Sequence, residues 1–180
     1  MFRGRIYLSA VTIAAIAGGL VLIGSLPATG ADKAPKCLGK AATIVKGDGP
    51  NVVVGTDGND VIVTKGGGDS VDGGEGNDRI CTGAGADGAS GGPGNDQISG
   101  GGTADSLDGD TGLDDQPGDG RDLLKGGEGA DRLEGNGNDD EIRGNDGNDL
   151  MDGQSGTDFC DGGRHGDSAS NCEEGPDADV

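Results

Sequence analysis

A nine-residue period, which runs from residue 46 to residue 170, is the feature that most constrains how this chain can fold. Its clearest copies are consecutive and occupy residues 73–81, 82–90 and 91–99. They follow the template G-G-x-G-x-D-x-U-x, in which U is apolar. A unit this short cannot bury an apolar face alone, so its copies must stack to form a core. The period therefore predicts a solenoid.

The sixth position of the repeat carries a carboxylate in nearly every copy. Of fourteen copies, one has Asn51 at this position and thirteen have aspartate. The intervals are all nine residues except the eight between Asp114 and Asp122. The aspartates are Asp60, Asp69, Asp78, Asp87, Asp96, Asp105, Asp114, Asp122, Asp131, Asp140, Asp149, Asp158 and Asp167.

The eighth position is apolar in most copies, which predicts a short strand after each turn. Side chains of a strand alternate between its faces, so this residue points inward while its neighbours point outward. Two strands and two turns make one flattened coil, so copies eighteen residues apart stack directly. The expected architecture is all-β, a parallel β-roll. The inward residues are Val53, Ile62, Val71, Ile80, Ala89, Ile98, Leu107, Gln116, Leu124, Leu133, Ile142, Met151, Cys160 and Ala169.

One place in the period is irregular. The interval before Asp122 is one residue short, Gln116 occupies an inward position, and Pro117 cannot donate a ladder hydrogen bond. The eighteen-residue stacking is therefore expected to slip here, with a weak joint at residues 115–118.

The charge balance indicates that such a roll needs an additional source of stability in order to fold. The chain has 33 acidic and 13 basic residues, a net charge of −20, and 2% aromatic residues. Low hydrophobicity with high net charge is typical of disorder. Regularly placed carboxylates indicate that a metal supplies the missing stability. The acidic surface argues against nucleic acid and anionic membranes as partners, since both require cationic patches.

The turns favour calcium over other metals. Tight glycine turns aim several carbonyl oxygens at one point, and the aspartate adds a carboxylate. Oxygen-only ligation is what Ca²⁺ prefers, and the single histidine and scattered cysteines do not suit a softer metal. The thirteen aspartates are therefore the candidate ligands of several Ca²⁺ ions, and solvated turn aspartates are the alternative. Asp-Gly and Asn-Gly pairs alone would favour hairpins, but the regular spacing favours stacked turns.

The repeats resemble the repeats-in-toxin, or haemolysin-type, calcium-binding family, with further close copies at residues 126–133 and 144–151. The resemblance covers residues 46–170. It implies a parallel β-roll in which aspartate carboxylates and turn carbonyls hold Ca²⁺ between turns. Thr103 and Asn138 depart from the pattern by replacing turn glycines. The chain is most similar to short secreted bacterial proteins built almost wholly of repeats.

The ends of the chain indicate export and capping. Residues 1–31 combine a basic start with a long apolar stretch and small residues before Asp32, which is typical of a secretory signal. An uncleaved anchor is the alternative; without the segment, the mature chain is expected to have no membrane span. Residues 32–45 are expected to form an N-terminal cap, 46–170 the roll, and 171–180 a C-terminal cap with an acidic tail. The protein is predicted to be extracellular.

Four cysteines in an exported chain favour disulfides, and three pairings are possible. Cys37 with Cys81, and Cys160 with Cys172, are favoured because each pair lies near one end of the chain. The alternative for Cys160 is a buried free thiol, since its position is an inward one.

The sequence predicts a binding or structural function outside the cell and no enzymatic activity. It contains neither an H-E-x-x-H zinc motif nor a G-x-S-x-G nucleophile motif. The alternative is an accessory or detached repeat module of a secreted hydrolase or toxin. A third class, a self-assembling surface protein, would scatter light when Ca²⁺ is added. The sequence identifies no protein partner.

Overall fold

A computed structural model describes residues 34–110 and 119–176, and all regular structure within these ranges is β. The predicted signal at residues 1–31, together with Asp114 and the predicted weak joint at residues 115–118, lies outside the described residues. The strands are β1 Lys36–Cys37, β2 Lys40–Ala41, β3 Ile44–Val45, β4 Val52–Thr56, β5 Val61–Val63, β6 Ser70–Gly74, β7 Arg79–Ala84, β8 Gly88–Ser90, β9 Gln97–Gly102, β10 Ser106–Asp108, β11 Leu123–Glu128, β12 Arg132–Gly137, β13 Glu141–Asp146, β14 Leu150–Ser155, β15 Phe159–Arg164 and β16 Ser168–Ser170.

Fourteen of the strands form two parallel sheets of seven strands each. The odd sheet contains β3, β5, β7, β9, β11, β13 and β15 in that order, and the even sheet contains β4 to β16. Each strand pairs with the strand one full coil away, as when Ile62 pairs with Ile80. The predicted all-β parallel roll is therefore confirmed.

The core is a single file of side chains between the sheets, one from each strand. Every inward residue predicted between Val53 and Cys160 is buried, apart from Gln116, which lies outside the described residues. Ala169, at the end of the file, is partly buried against the others. The core is thin, so most of the apolar surface that drives folding comes from one residue per row.

The eighteen-residue spacing is interrupted at the short interval, as expected, but the strands on its two sides still pair directly. Ile98 pairs directly with Leu124, and Leu107 with Leu133. The backbone N–H of Asp96 donates to Oδ1 of Asp122 across 26 residues, whereas the same bond from Asp78 to Asp96 spans the usual 18. The chain thus has eight additional residues between these rows, an insert in the sequence, and the described ladder passes from Asp96 directly to Asp122.

Both predicted disulfides are confirmed. Cys37, in the antiparallel β1–β2 hairpin, is bonded to Cys81, and the hairpin contacts β5 and β7 of the odd sheet. Cys160, in the core, is bonded to the equally buried Cys172. Each bond ties a terminal segment to the stacked strands. No helix in the described part of the chain is long and apolar enough to cross a membrane.

Candidate metal centre

Each turn has six positions, with glycine most frequent at positions 1, 2 and 4 and aspartate at position 6. Positions 2 and 4 have left-handed backbone in most turns, as at Gly74 (φ 101°) and Gly76 (φ 120°). Glycine adopts this conformation at no steric cost, which explains its place in the repeat. Alternating turns lie on opposite sides of the roll, so each side carries its own column of aspartates.

The aspartates of each column are joined by hydrogen bonds through one carboxylate oxygen. The backbone N–H of Asp60 donates to Oδ1 of Asp78 at 2.8 Å, and that of Asp78 donates to Oδ1 of Asp96 at 2.7 Å. The same bond recurs along both columns, with distances between 2.7 and 3.0 Å. One half of each carboxylate therefore has a structural role in holding successive coils together.

The second carboxylate oxygen has no hydrogen-bond partner in most of these residues, although it is buried. An unpaired buried oxygen of this kind is costly in a folded protein and indicates a missing ligand or ion. Among the described residues this holds for Oδ2 of Asp69, Asp78, Asp87, Asp96, Asp105, Asp122, Asp131, Asp140, Asp149 and Asp158, and also for Oδ2 of Asp110, which is not a member of the columns.

In eight turns this oxygen faces a space that only glycine leaves open. A Cβ on Gly73 would lie 2.5 Å from Oδ2 of Asp78 and would also collide with the carbonyl oxygen of Gly91, one coil away. We call this space, bounded by Oδ2 and the position 1 carbonyl of the next coil, a cradle. The cradles belong to Asp78, Asp96, Asp105, Asp122, Asp131, Asp140, Asp149 and Asp158.

Burial makes the negative charge of these carboxylates unfavourable in the absence of a cation. It is the largest cause that raises the pKa of Asp96 to about 7 and that of Asp140 to about 8. The backbone N–H of the preceding aspartate lowers the pKa in both cases, and neighbouring carboxylates raise it. Repulsion between carboxylates of the column is therefore present but weaker than desolvation. A bound cation would offset both.

The predicted ligands are brought into columns but not into clusters. No group of three or more acidic, histidine or cysteine side chains in the described ranges is placed to hold a metal ion. Each cradle instead offers one carboxylate oxygen and backbone carbonyl oxygens, a hard donor set that suits Ca²⁺. Asp167, in the last turn, is only half-buried, and Asp114 lies outside the described residues.

Three further residues of the site could not be read from the repeat. Asp110, at position 2 of the interrupted turn, is fully buried, and the N–H of Gly120 donates to its Oδ1. Burial is the largest cause that raises its pKa to about 7, and Asp119 adds to it. Glu173 ends one column by accepting the N–H of Asp158, and Thr43 donates to Asp60 at the other end. Of these three residues, only Asp110 departs visibly from the repeat in the sequence, because it replaces the glycine that is usual at position 2.

The comparisons with known proteins agree with this geometry. The family model of the RTX calcium-binding nonapeptide repeat matches residues 47–80, 54–89, 82–115, 117–150 and 134–167. These matches cover more than half of the chain and all eight cradles except the carbonyl contributed by Asn171. No curated protein matches the chain. The matched residues and the stacked turns that they form show that the chain belongs to the family of RTX calcium-binding nonapeptide repeats.

Proposed function

We propose that this protein is a secreted, non-enzymatic calcium-binding β-roll that folds when Ca²⁺ fills its turns and that acts outside the cell as a binding or structural element. The observation that carries the proposal is the buried, unpaired Oδ2 that faces a carbonyl oxygen in each cradle. Bound Ca²⁺ would supply the positive charge that these oxygens lack. The eight cradle aspartates are the proposed ligands, each together with the position 1 carbonyl of the next coil.

Folding on binding is supported by the chemistry of the chain. The core contains one apolar residue per row, while eleven buried carboxylates each have an unpaired oxygen. Desolvating that many charges without a cation opposes folding, so the binding free energy of the ions becomes folding free energy. The two disulfides support export, because such bonds persist in oxidising compartments.

The test is a calcium titration of the oxidised, metal-free protein followed by far-UV circular dichroism. We expect a steep rise in β structure at about 10⁻⁴–10⁻³ M Ca²⁺, the range of extracellular calcium modules. Mg²⁺ at the same concentration serves as the control ion. A spectrum that does not change with Ca²⁺ contradicts the proposal.

A matched pair of variants locates the ions. Asp96→Asn keeps an oxygen that can accept the N–H of Asp78 but removes the charge at one cradle. Asp72→Asn makes the same change on the exposed face of β6. We expect only the first variant to bind less calcium, measured as ions per chain by native mass spectrometry. Equal calcium content in both variants would contradict ligation by the cradle aspartates.

A further inference from the structure

Two turns on one side of the roll have threonine where the others have glycine. Thr64 and Thr82 occupy position 1 of successive turns, and both are completely buried. Oγ1 of Thr64 donates to the carbonyl oxygen of Thr82 at 2.9 Å, and Oγ1 of Thr82 donates to that of Gly100 at 2.8 Å. Both acceptors are position 1 carbonyls of the next coil, the same groups that bound a cradle elsewhere.

The threonine side chain therefore stands where a cradle would be. A buried side chain replaces the glycine that leaves this space open elsewhere, and its O–H provides the carbonyl oxygen with a positive partner. Oδ2 of Asp69 and Oδ2 of Asp87 remain unpaired, as in the glycine turns. These turns thus differ from the cradles in what lies opposite the carboxylate, and the carboxylate itself is unchanged.

A third threonine satisfies the carboxylate directly. Oδ2 of Asp60 accepts both the backbone N–H and the Oγ1–H of Thr56, each at 2.8 Å. Thr56, Thr64 and Thr82 all lie within the first five turns of the roll. After them position 1 is glycine in every described turn, at Gly91, Gly100, Gly109, Gly126, Gly135, Gly144, Gly153 and Gly162.

We propose that threonine hydroxyls replace calcium in the turns of Asp60, Asp69 and Asp87, so that only Asp78 among the first four turns that carry aspartate binds an ion. This inference rests on the proposed function, since it divides the turns into those that bind calcium and those that do not. It makes the N-terminal coils, which are also tied by the Cys37–Cys81 bond, largely independent of the metal. The coils after residue 90 carry the calcium dependence and stack onto a part that is already formed.

The test compares two double variants of the full oxidised chain by counting bound calcium at saturation with native mass spectrometry. Asp69→Asn with Asp87→Asn is expected to leave the count of the unmodified protein unchanged. Asp96→Asn with Asp105→Asn, the matched pair at glycine turns, is expected to lower it by two ions. In both, the asparagine oxygen can still accept the N–H from the preceding coil. A loss of calcium from the first variant overturns the inference.

A second experiment tests the same inference by looking for a gain of calcium binding. Thr64→Gly with Thr82→Gly opens the two spaces, and we expect up to two additional calcium ions per chain, abolished when Asp69→Asn and Asp87→Asn are added. An unchanged count in a glycine variant that circular dichroism shows to be folded overturns the inference. If the unmodified protein binds no calcium, the proposed function itself fails, which is a different result from a changed distribution among turns.

Discussion

At the scale of single residues, the turns store strain wherever a left-handed position is not glycine. Thr103 has a φ of 75° and His165 a φ of 94°, both at position 4, and Asn138 at the same position has a φ of 69°. Asparagine tolerates this region, whereas a β-branched residue is disfavoured there. The sequence correctly identified Thr103 and Asn138 as departures from the repeat, and the structure places both in the costly conformation.

Thr103→Gly should therefore stabilise the protein. Left-handed backbone costs a residue with a side chain roughly 1–2 kcal/mol, and the greater freedom of glycine in the unfolded chain offsets about 0.4–1 kcal/mol of the gain. We expect a net increase of about 0.5–1 kcal/mol in the free energy of unfolding, measured by urea denaturation in saturating calcium. Thr157→Gly is the control, because Thr157 is also exposed but is not left-handed, and it should lower stability. A destabilised Thr103 variant would contradict the argument.

At the scale of elements, the strands before and after the sequence insert, residues 111–118, share one register. Strands on its two sides pair directly, β9 with β11 and β10 with β12, and the aspartate ladder continues through Asp96 and Asp122. The rows on both sides thus make the same contacts as rows elsewhere in the roll.

Deleting residues 111–118 should leave the roll intact. It joins Asp110 to Asp119 and restores a six-position turn between Gly109 and Asp122, in agreement with the register of the flanking strands. Since loop-closure entropy changes slowly with length, we expect a stability change within about 1 kcal/mol and an unchanged midpoint of the calcium titration. Deleting residues 120–127, the same number from a paired strand, should abolish cooperative folding. A collapse of the roll after the first deletion would show that the insert is needed for stacking.

The strands and the core could be predicted from the sequence because a period of nine fixes both the turn and the inward residue. Each inward residue from Val53 to Leu107 followed from counting alone. Counting could not predict how the strands pair across the eight-residue interval, since it cannot distinguish a shortened row from an insert. The roles of Thr64 and Glu173 could not be predicted from the sequence either, because their hydrogen bonds join residues in different coils, 18 and 15 positions apart.

At the scale of the whole molecule, protons and calcium should stabilise the same fold in different pH ranges. Burial is the largest cause that raises the pKa of Asp78 to about 6, of Asp105 to about 7 and of Asp122 to about 9. In the unfolded chain the pKa of these groups is near the ordinary aspartate value of 3.8. Between these limits the folded state binds more protons than the unfolded state, so the stability of the metal-free protein falls as the pH rises.

The metal-free protein should therefore have more β structure at about pH 5 than at about pH 8. At intermediate calcium concentrations this order should reverse, because protons then compete with Ca²⁺ for the same oxygens. Far-UV circular dichroism of chelator-treated protein, with and without calcium, measures both trends. High salt is the control, since it screens the exposed charges of this acidic chain but does not relieve the desolvation of buried carboxylates. If salt alone reproduces the effect of low pH, repulsion between surface charges is the cause and the buried columns are not. If neither condition restores β structure, protonated carboxylates cannot replace the ion, and the carbonyl oxygens that face each cradle must also require a cation.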